Sequence, residues 1–251
     1  MKKLFSKRQD FFVLGILLAN SAYAGPPFVT DDPEPVDYEH WEINTGISKT
    51  WNDTGYSAAV PGIDINYGFT ENLQLHIQPK YSFVDNSGSR FQGVDNTEVG
   101  IKYRFANDES EDSTFMVGVY PMVQVASGSR ELSAASGKTQ IFLPVWAQYA
   151  KEDWVFYGGT GYRLNNWLGS KNSLFVGGVV LYRFTEKFSL GGEAFNETAT
   201  AIGEKRSSGF NLGGIYELGE HYHFLFAAGR ALNNIEATNQ LSIYLALQLT
   251  Y

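Results

Sequence analysis

The sequence predicts an all-β fold: a transmembrane antiparallel β-barrel of about twelve strands, with short periplasmic turns and longer extracellular loops. Three observations predict it. Apolar and polar residues alternate over stretches of about ten residues, the mark of a strand with one greasy and one wet face. Six such stretches end at a tyrosine, and at five of them that tyrosine opens a turn. An export signal precedes them, while no later stretch is long and apolar enough for a spanning helix.

Residues 1–24 read as a cleaved secretory signal. Lys2, Lys3, Lys7 and Arg8 precede an apolar run over 11–19, and Ala22, Tyr23 and Ala24 set small residues where a signal peptidase cuts. That run is about half the ~20 residues a spanning helix needs. Removing the signal takes away four basic residues and one acidic residue, which leaves 15 basic against 26 acidic side chains, a net charge of −11. A nucleic-acid partner is excluded by that sign. The absence of cysteine excludes a disulfide scaffold, a thiolate metal site and a cysteine nucleophile. The expected location is the outer membrane of a Gram-negative bacterium.

The barrel is expected over 38–251. Tyr67, Tyr103, Tyr149, Tyr182, Tyr216 and Tyr251 end successive rows at spacings of 36, 46, 33, 34 and 35 residues. Counting back in twos gives apolar rows such as Val99, Ile101, Tyr103 and Leu245, Leu247, Leu249, Tyr251, with Glu98, Gly100 and Lys102 or Ser242 and Gln248 interleaved. A repeat of this length with a period of two inside each unit is a β-array rather than a helical solenoid. Six strands end at a tyrosine. A first strand over 41–51 and five more over 73–83, 115–125, 154–162, 188–196 and 222–229 complete twelve. The two faces of 154–162 and 222–229 are both apolar, so their phase is open. Connections over 85–93, 127–138, 164–172, 198–207 and 232–239 are rich in Gly, Ser and Asn and read as the longer loops. Strands of this length suit a tilted bilayer crossing, whereas a soluble sandwich favours strands nearer ~5–6 residues.

The row-ending aromatics Tyr67, Phe69, Tyr103, Phe105, Tyr182, Phe184 and Tyr251 are expected at the headgroup girdle in contact with outer-membrane lipid. The opposite face lines the lumen, and its candidates for solute contact are His76, Lys80, Glu98, Lys102, Arg104, Tyr120, Phe142, Trp146, Arg183 and Glu193. This mixture of charge and large rings has two readings. One is a narrow amphipathic path for a small-molecule solute; the other is a small lumen simply filled by side chains. Arg104 and Arg183 lie one residue beyond a row-ending tyrosine and are expected to pair with Glu98, Glu193 or Glu217, because an unpaired charge in a restricted space is costly. Lys80 and Lys102 are the residues expected to face an anionic solute.

No catalytic residues, metal ligands or cofactor are expected. The four histidines (His40, His76, His221, His223) share no motif with a serine, no Gly-x-Ser-x-Gly elbow is present, and His221 with His223 lacks a third ligand.

Two resemblances follow from particular residues. The alternating Leu247 to Tyr251 terminus resembles the signal that the outer-membrane barrel-assembly machinery reads on a last strand, which implies that partner. The phrase running from Pro26, Pro27 and Phe28 through Thr30, Asp31, Asp32, Pro33, Pro35 and Val36 to His40, Trp41 and Glu42 resembles the meta-pathway phenol-degradation family of outer-membrane proteins. Phe142 to Trp146 and Trp154 to Tyr162 are similar to that family too. The resemblance implies a transporter barrel, with uptake of aromatic, phenol-like compounds in some members, and it carries no site residues. The expected function is a monomeric channel for passive uptake of small solutes; the alternative is a sealed structural or lipid-interacting barrel without transport. For residues 25–37, whose prolines forbid a regular strand, two readings stand: a lumen plug whose Asp31, Asp32 and Glu34 meet Lys80, Lys102 or Arg104, or a periplasmic leader.

Overall fold

The computed structural model describes residues 26–129, 132, 139–166 and 169–251. The signal expected over 1–24 lies outside the described residues.

The wall is built from β1 (Trp41–Asn52), β2 (Gly55–Thr70), β3 (Leu73–Gln78), β4 (Lys80–Asn86), β5 (Ser89–Val94), β6 (Thr97–Glu109), β7 (Ser113–Val119), β8 (Met122–Val125), β9 (Gln140–Lys151), β10 (Trp154–Asn165), β11 (Ser173–Thr185), β12 (Phe188–Glu197), β13 (Ser207–Glu217), β14 (Tyr222–Ala231) and β15 (Leu241–Thr250). A single-turn helix, α1 (Ile235–Thr238), sits in the last long connection. Each of the pairs β3–β4, β5–β6 and β7–β8 is one crossing with a break in it. The described residues therefore form a closed antiparallel barrel of 12 staves.

Two of the breaks have a simple cause. Pro79 separates β3 from β4 and Pro121 separates β7 from β8, and proline has no N–H to give the ladder. Their carbonyls still take part: Ile63 donates to Pro79 at 3.1 Å and Ile101 to Pro121 at 3.1 Å. Closure comes from β1, which pairs β2 on one side and β15 on the other, with Glu42 opposite Thr250. With β1 joined on both sides, the circuit of staves closes among the described residues, which is the condition for strands to stand in hydrocarbon.

Polarity is inverted relative to a water-soluble protein. The rows Val99, Ile101, Tyr103 and Leu245, Leu247 are exposed on the outer wall, whereas Asn44, Lys102, Gln148, His223 and Gln248 are buried inside. A soluble sandwich places these two sets the other way round. The outward rows end in Phe69, Tyr103, Phe105, Phe184 and Tyr251, all exposed. Tyr67 packs tilted against Trp41 at 4.5 Å, and Tyr182 packs against Trp154 at 4.6 Å and Phe184 at 4.8 Å.

The structure adds two details. Val155 and Tyr157 of β10 face inward while Trp154 and Phe156 face out, and in β14 His223, Leu225 and Ala227 are the inward set. The connection expected to be a loop over 85–93 is a hairpin instead: β4 and β5 stay paired up to Asn86 and Ser89, around a turn in which Ser87 and Gly88 both have positive φ. Gly88 makes that turn easy, and the polar residues read as loop continue the ladder, with β4 also paired to β2 as far as Asn86 opposite Gly55.

Candidate functional site: the occupied lumen

Residues 26–37 run through the interior. Thr30 and Asp32 are fully buried, and Phe28 joins an apolar cluster with Val155, Tyr157, Val179, Leu181, Ile215 and Leu225. The segment forms no strand, so its backbone polar groups need partners from the wall, and four staves supply them. Glu193 of β12 accepts from the Thr30 N–H at 2.5 Å and the Val29 N–H at 3.2 Å. Lys102 of β6 donates to Asp31 at 3.0 Å, Asp32 at 3.4 Å and the Glu34 carbonyl at 3.3 Å. Gln148 of β9 donates to the Glu34 carboxylate at 2.9 Å. Gln74 of β3 accepts from the Val36 N–H at 2.9 Å.

Glycines make room for this path. A Cβ at Gly177 would overlap the Thr30 hydroxyl, and one at Gly68 would overlap the Asp37 carbonyl. Both lie on the inward face, where any side chain would compete with the segment for space.

Electrostatics differ along the segment. Burial works to raise the Asp31 carboxyl, but the Lys102 ammonium and hydrogen bonds from Asp32 and Lys102 outweigh it and hold it below its ordinary value. Burial pushes Asp32 well up against the pull of Lys102, and the neighbouring charges of Asp31 and Glu34 add to the rise. Burial likewise pushes Glu34 up to about 7, against the hydrogen bond from Gln148.

The two halves of the lumen are unlike. Toward the long loops, Tyr120, Phe142, Trp146 and Phe175 form a buried aromatic block, with Met122 and Phe195 packed on it. Phe142, Trp146 and Phe175 meet edge to face at 6.1–6.4 Å, a favoured ring arrangement. Toward the short turns lies a cavity of about 310 Å³ bordered by Asp31, Glu34, Glu42, Asp64, Tyr120 and the rim residues His221 and Tyr251.

Most of the expected lumen residues do converge, though several have other partners than the sequence suggested. His76 sits 3.0 Å from Asp64 and 3.6 Å from Glu98. Arg104 does not pair with Glu98; its guanidinium bonds the turn after β2, to Asn72 at 3.0 Å and the Glu71 carbonyl at 2.9 Å. Glu217 pairs with His223 rather than an arginine, and His223 reaches the Thr250 hydroxyl at 3.2 Å with its other nitrogen. Lys80 stands apart on β4, 4.0 Å from Asp95, and Arg183 stands near the short-turn rim, its N–H bonded to the Asp153 carbonyl. Lys102, expected to face a solute, is engaged by Asp31 and Asp32. Gln74 and Gln148 fall on the polar phase of their rows, but their role as anchors is not legible in the sequence, since nothing marks one inward glutamine over another before the segment is in place. Sequence reasoning missed Arg163 of β10, which reaches Glu197 at 3.0 Å and lies over the Phe142 ring at 4.3 Å.

The relay of Glu217, His223 and Thr250 resembles a hydrolase triad in outline. The two backbone N–H groups next to the hydroxyl are already taken, the Thr250 N–H by the His221 carbonyl at 3.0 Å and the Tyr251 N–H by the Trp41 carbonyl at 3.1 Å. Stabilising an oxyanion needs donors free to point at it.

Solved structures share this architecture. The chain is similar to the COG4313 outer membrane channel from Pseudomonas putida F1, with 13% identity, a TM-score of 0.65, and 86% of this chain and 96% of that chain covered. The fold is that of outer-membrane β-barrels. The KdgM porin (13% identity, TM-score 0.58, 84% and 99% covered) and the NanC porin (10% identity, TM-score 0.53, 84% and 98% covered) share it as well. No protein-family model and no curated protein matches the chain. The likeness to the meta-pathway phenol-degradation family thus rests on the motifs quoted above.

Proposed function

We propose that this protein is an outer-membrane channel for passive uptake of small solutes, held closed at rest by its own residues 26–37. The observation that carries the reading is the way the segment is held. Its anchors to Glu193, Lys102, Gln148 and Gln74 are hydrogen bonds and ion pairs. Each contributes a modest net stabilisation, about 0.5–1.5 kcal/mol for a neutral bond and more for a charged one. Water can replace each of these polar anchors once the segment leaves, so that side of the lumen would be solvated; only the contact of Phe28 with its apolar cluster has no such substitute. A barrel meant to stay sealed has no need of polar anchors that water can satisfy.

Aromatic, phenol-like compounds are the solute class supported by the family resemblance and by the ring block of Tyr120, Phe142, Trp146 and Phe175 at the long-loop end. The chain acts as a monomer in lipid of the Gram-negative outer membrane, after export by its signal and assembly through the Tyr251 strand. The rival reading, a permanently sealed structural barrel, draws on the same aromatic block.

Liposome swelling separates the two. Rates are compared for phenol-like acids, sugars and amino acids of similar size, with the signal-less protein and a variant lacking 26–37. Faster, solute-dependent entry through the shortened chain supports a gated channel. No entry through either leaves a sealed barrel.

A further inference from the structure

We propose that the outer wall at the long-loop rim, across β14, β15, β1, β2, β4 and β5, is a docking surface for the phosphates of an outer-leaflet glycolipid of the lipid A type. The inference needs the barrel to stand in an outer membrane and is independent of whether its lumen conducts.

The surface is one row read straight across the ladder. Leu241 lies opposite Trp51, Trp51 opposite Tyr56, Tyr56 opposite Asp85, and Asp85 opposite Arg90. Arg230 stands one position beyond the Gly229–Ser242 pair, level with Leu241. Lys49 is one step nearer the membrane centre on the face of Trp51. Directly opposed residues share a face, and Leu241 is exposed on the outside, so the whole row projects from the outer wall.

Depth puts this row among headgroups. Trp41 and Tyr67 are paired at the short-turn girdle, and Trp51 and Tyr56 are paired at the other end of the same two strands. Eleven positions of β2 separate Tyr56 from Tyr67. At about 3.3 Å each and a tilt of about 40°, that is about 28 Å of depth, against an apolar band of about 25 Å.

Charge selects the ligand. The Lys49 ammonium lies 3.9 Å from the Tyr56 ring centroid and 4.5 Å from that of Trp51. Among the described residues no carboxylate pairs with Lys49 or with the exposed Arg230. Asp85 accepts from the Nε of Arg90 at 2.9 Å, while that side chain stays 81% exposed. Three cations thus face the headgroups, the lysine steadied by two rings. Ammonium and guanidinium groups both bind phosphate oxygens, the second in a fork. The opposite rim is of the other sign: its turns expose Glu111, Asp112, Glu152, Asp153, Glu186 and Glu220, a field that repels phosphate.

Native mass spectrometry of the mature barrel in detergent tests this. Bisphosphorylated lipid A, its dephosphorylated form and phosphatidylglycerol are titrated in turn, and bound lipid is counted. Lipid A is expected to be retained in preference to both others. Lys49→Gln and Arg230→Gln should each weaken it about fivefold. Lys49→Arg, which keeps the charge, should retain most of the binding. Lys187→Gln, on the opposite rim, should change nothing. Equal retention of the dephosphorylated form or of phosphatidylglycerol overturns the assignment. Unchanged affinity in both Lys49→Gln and Arg230→Gln, or an equal loss in Lys187→Gln, overturns it as well.

Discussion

Lys102 holds Asp31 at 3.0 Å across 71 residues of sequence, and both groups are inside the barrel. The same ammonium reaches Asp32 at 3.4 Å. One cation of the wall therefore organises two carboxylates of the segment that fills the lumen. Removing one member of a buried ion pair is far more disruptive than never having built it, costing about 3–5 kcal/mol. Lys102→Met is expected to expel residues 31–34 and raise single-channel conductance in planar bilayers. Adding Asp31→Asn and Asp32→Asn should restore much of the closed state. Unchanged conductance in Lys102→Met would show that the segment does not close the pore.

Closure should weaken as pH rises through neutrality. Burial holds the docked Glu34 at about 7, above its ordinary 4.5. A raised carboxyl favours the docked form fully below 4.5, and that advantage is lost as pH climbs through 7. The rise in Asp32 acts in the same sense. The lowered Asp31 acts in the opposite sense, but only below 3.8. Conductance at pH 8 should exceed that at pH 5.5 by about tenfold in open probability. Glu34→Gln, which keeps a partner for Gln148, should flatten the profile. A profile of the same steepness in that variant would remove Glu34 from the gate.

Gly177 tests the fit of the segment without touching a charge. A Cβ there would overlap the Thr30 hydroxyl. Gly177→Ala is expected to leave the wall folded and to displace Thr30 from Glu193, so protease should cut within 26–37 several-fold faster. Equal cleavage rates would mean that the segment passes elsewhere.

The two obstructions lie in series. Trp146→Ala empties the centre of the aromatic block and should cost about 3–5 kcal/mol of barrel stability in a urea titration. Permeability should change little while 26–37 remains docked. Combined with deletion of 26–37, it should exceed that of either single change. If Trp146→Ala opens the pore alone, the segment is not a second barrier.

The sequence by itself determined the barrel and its inside-out polarity. Alternation with a period of two is a local property, and Val99, Ile101 and Tyr103 declare an outward row without reference to any other stave. It also identified the inward set, since Lys102, His76, Trp146 and Glu193 fall on the opposite phase of those rows. Only the tertiary structure decided what these residues meet. Where both faces of a strand are apolar, as in β10, the phase was set by Tyr157 packing with Phe28 in the inner cluster, a contact no local pattern contains. Arg104 took the amide of Asn72 and the Glu71 carbonyl instead of Glu98, and Glu217 took His223, because a charged side chain bonds whichever partner closure brings within reach. The path of residues 26–37 depends on Gly68, Gly177, Lys102 and Glu193, which come from four different staves. Their common focus exists only once β1 has closed on β15.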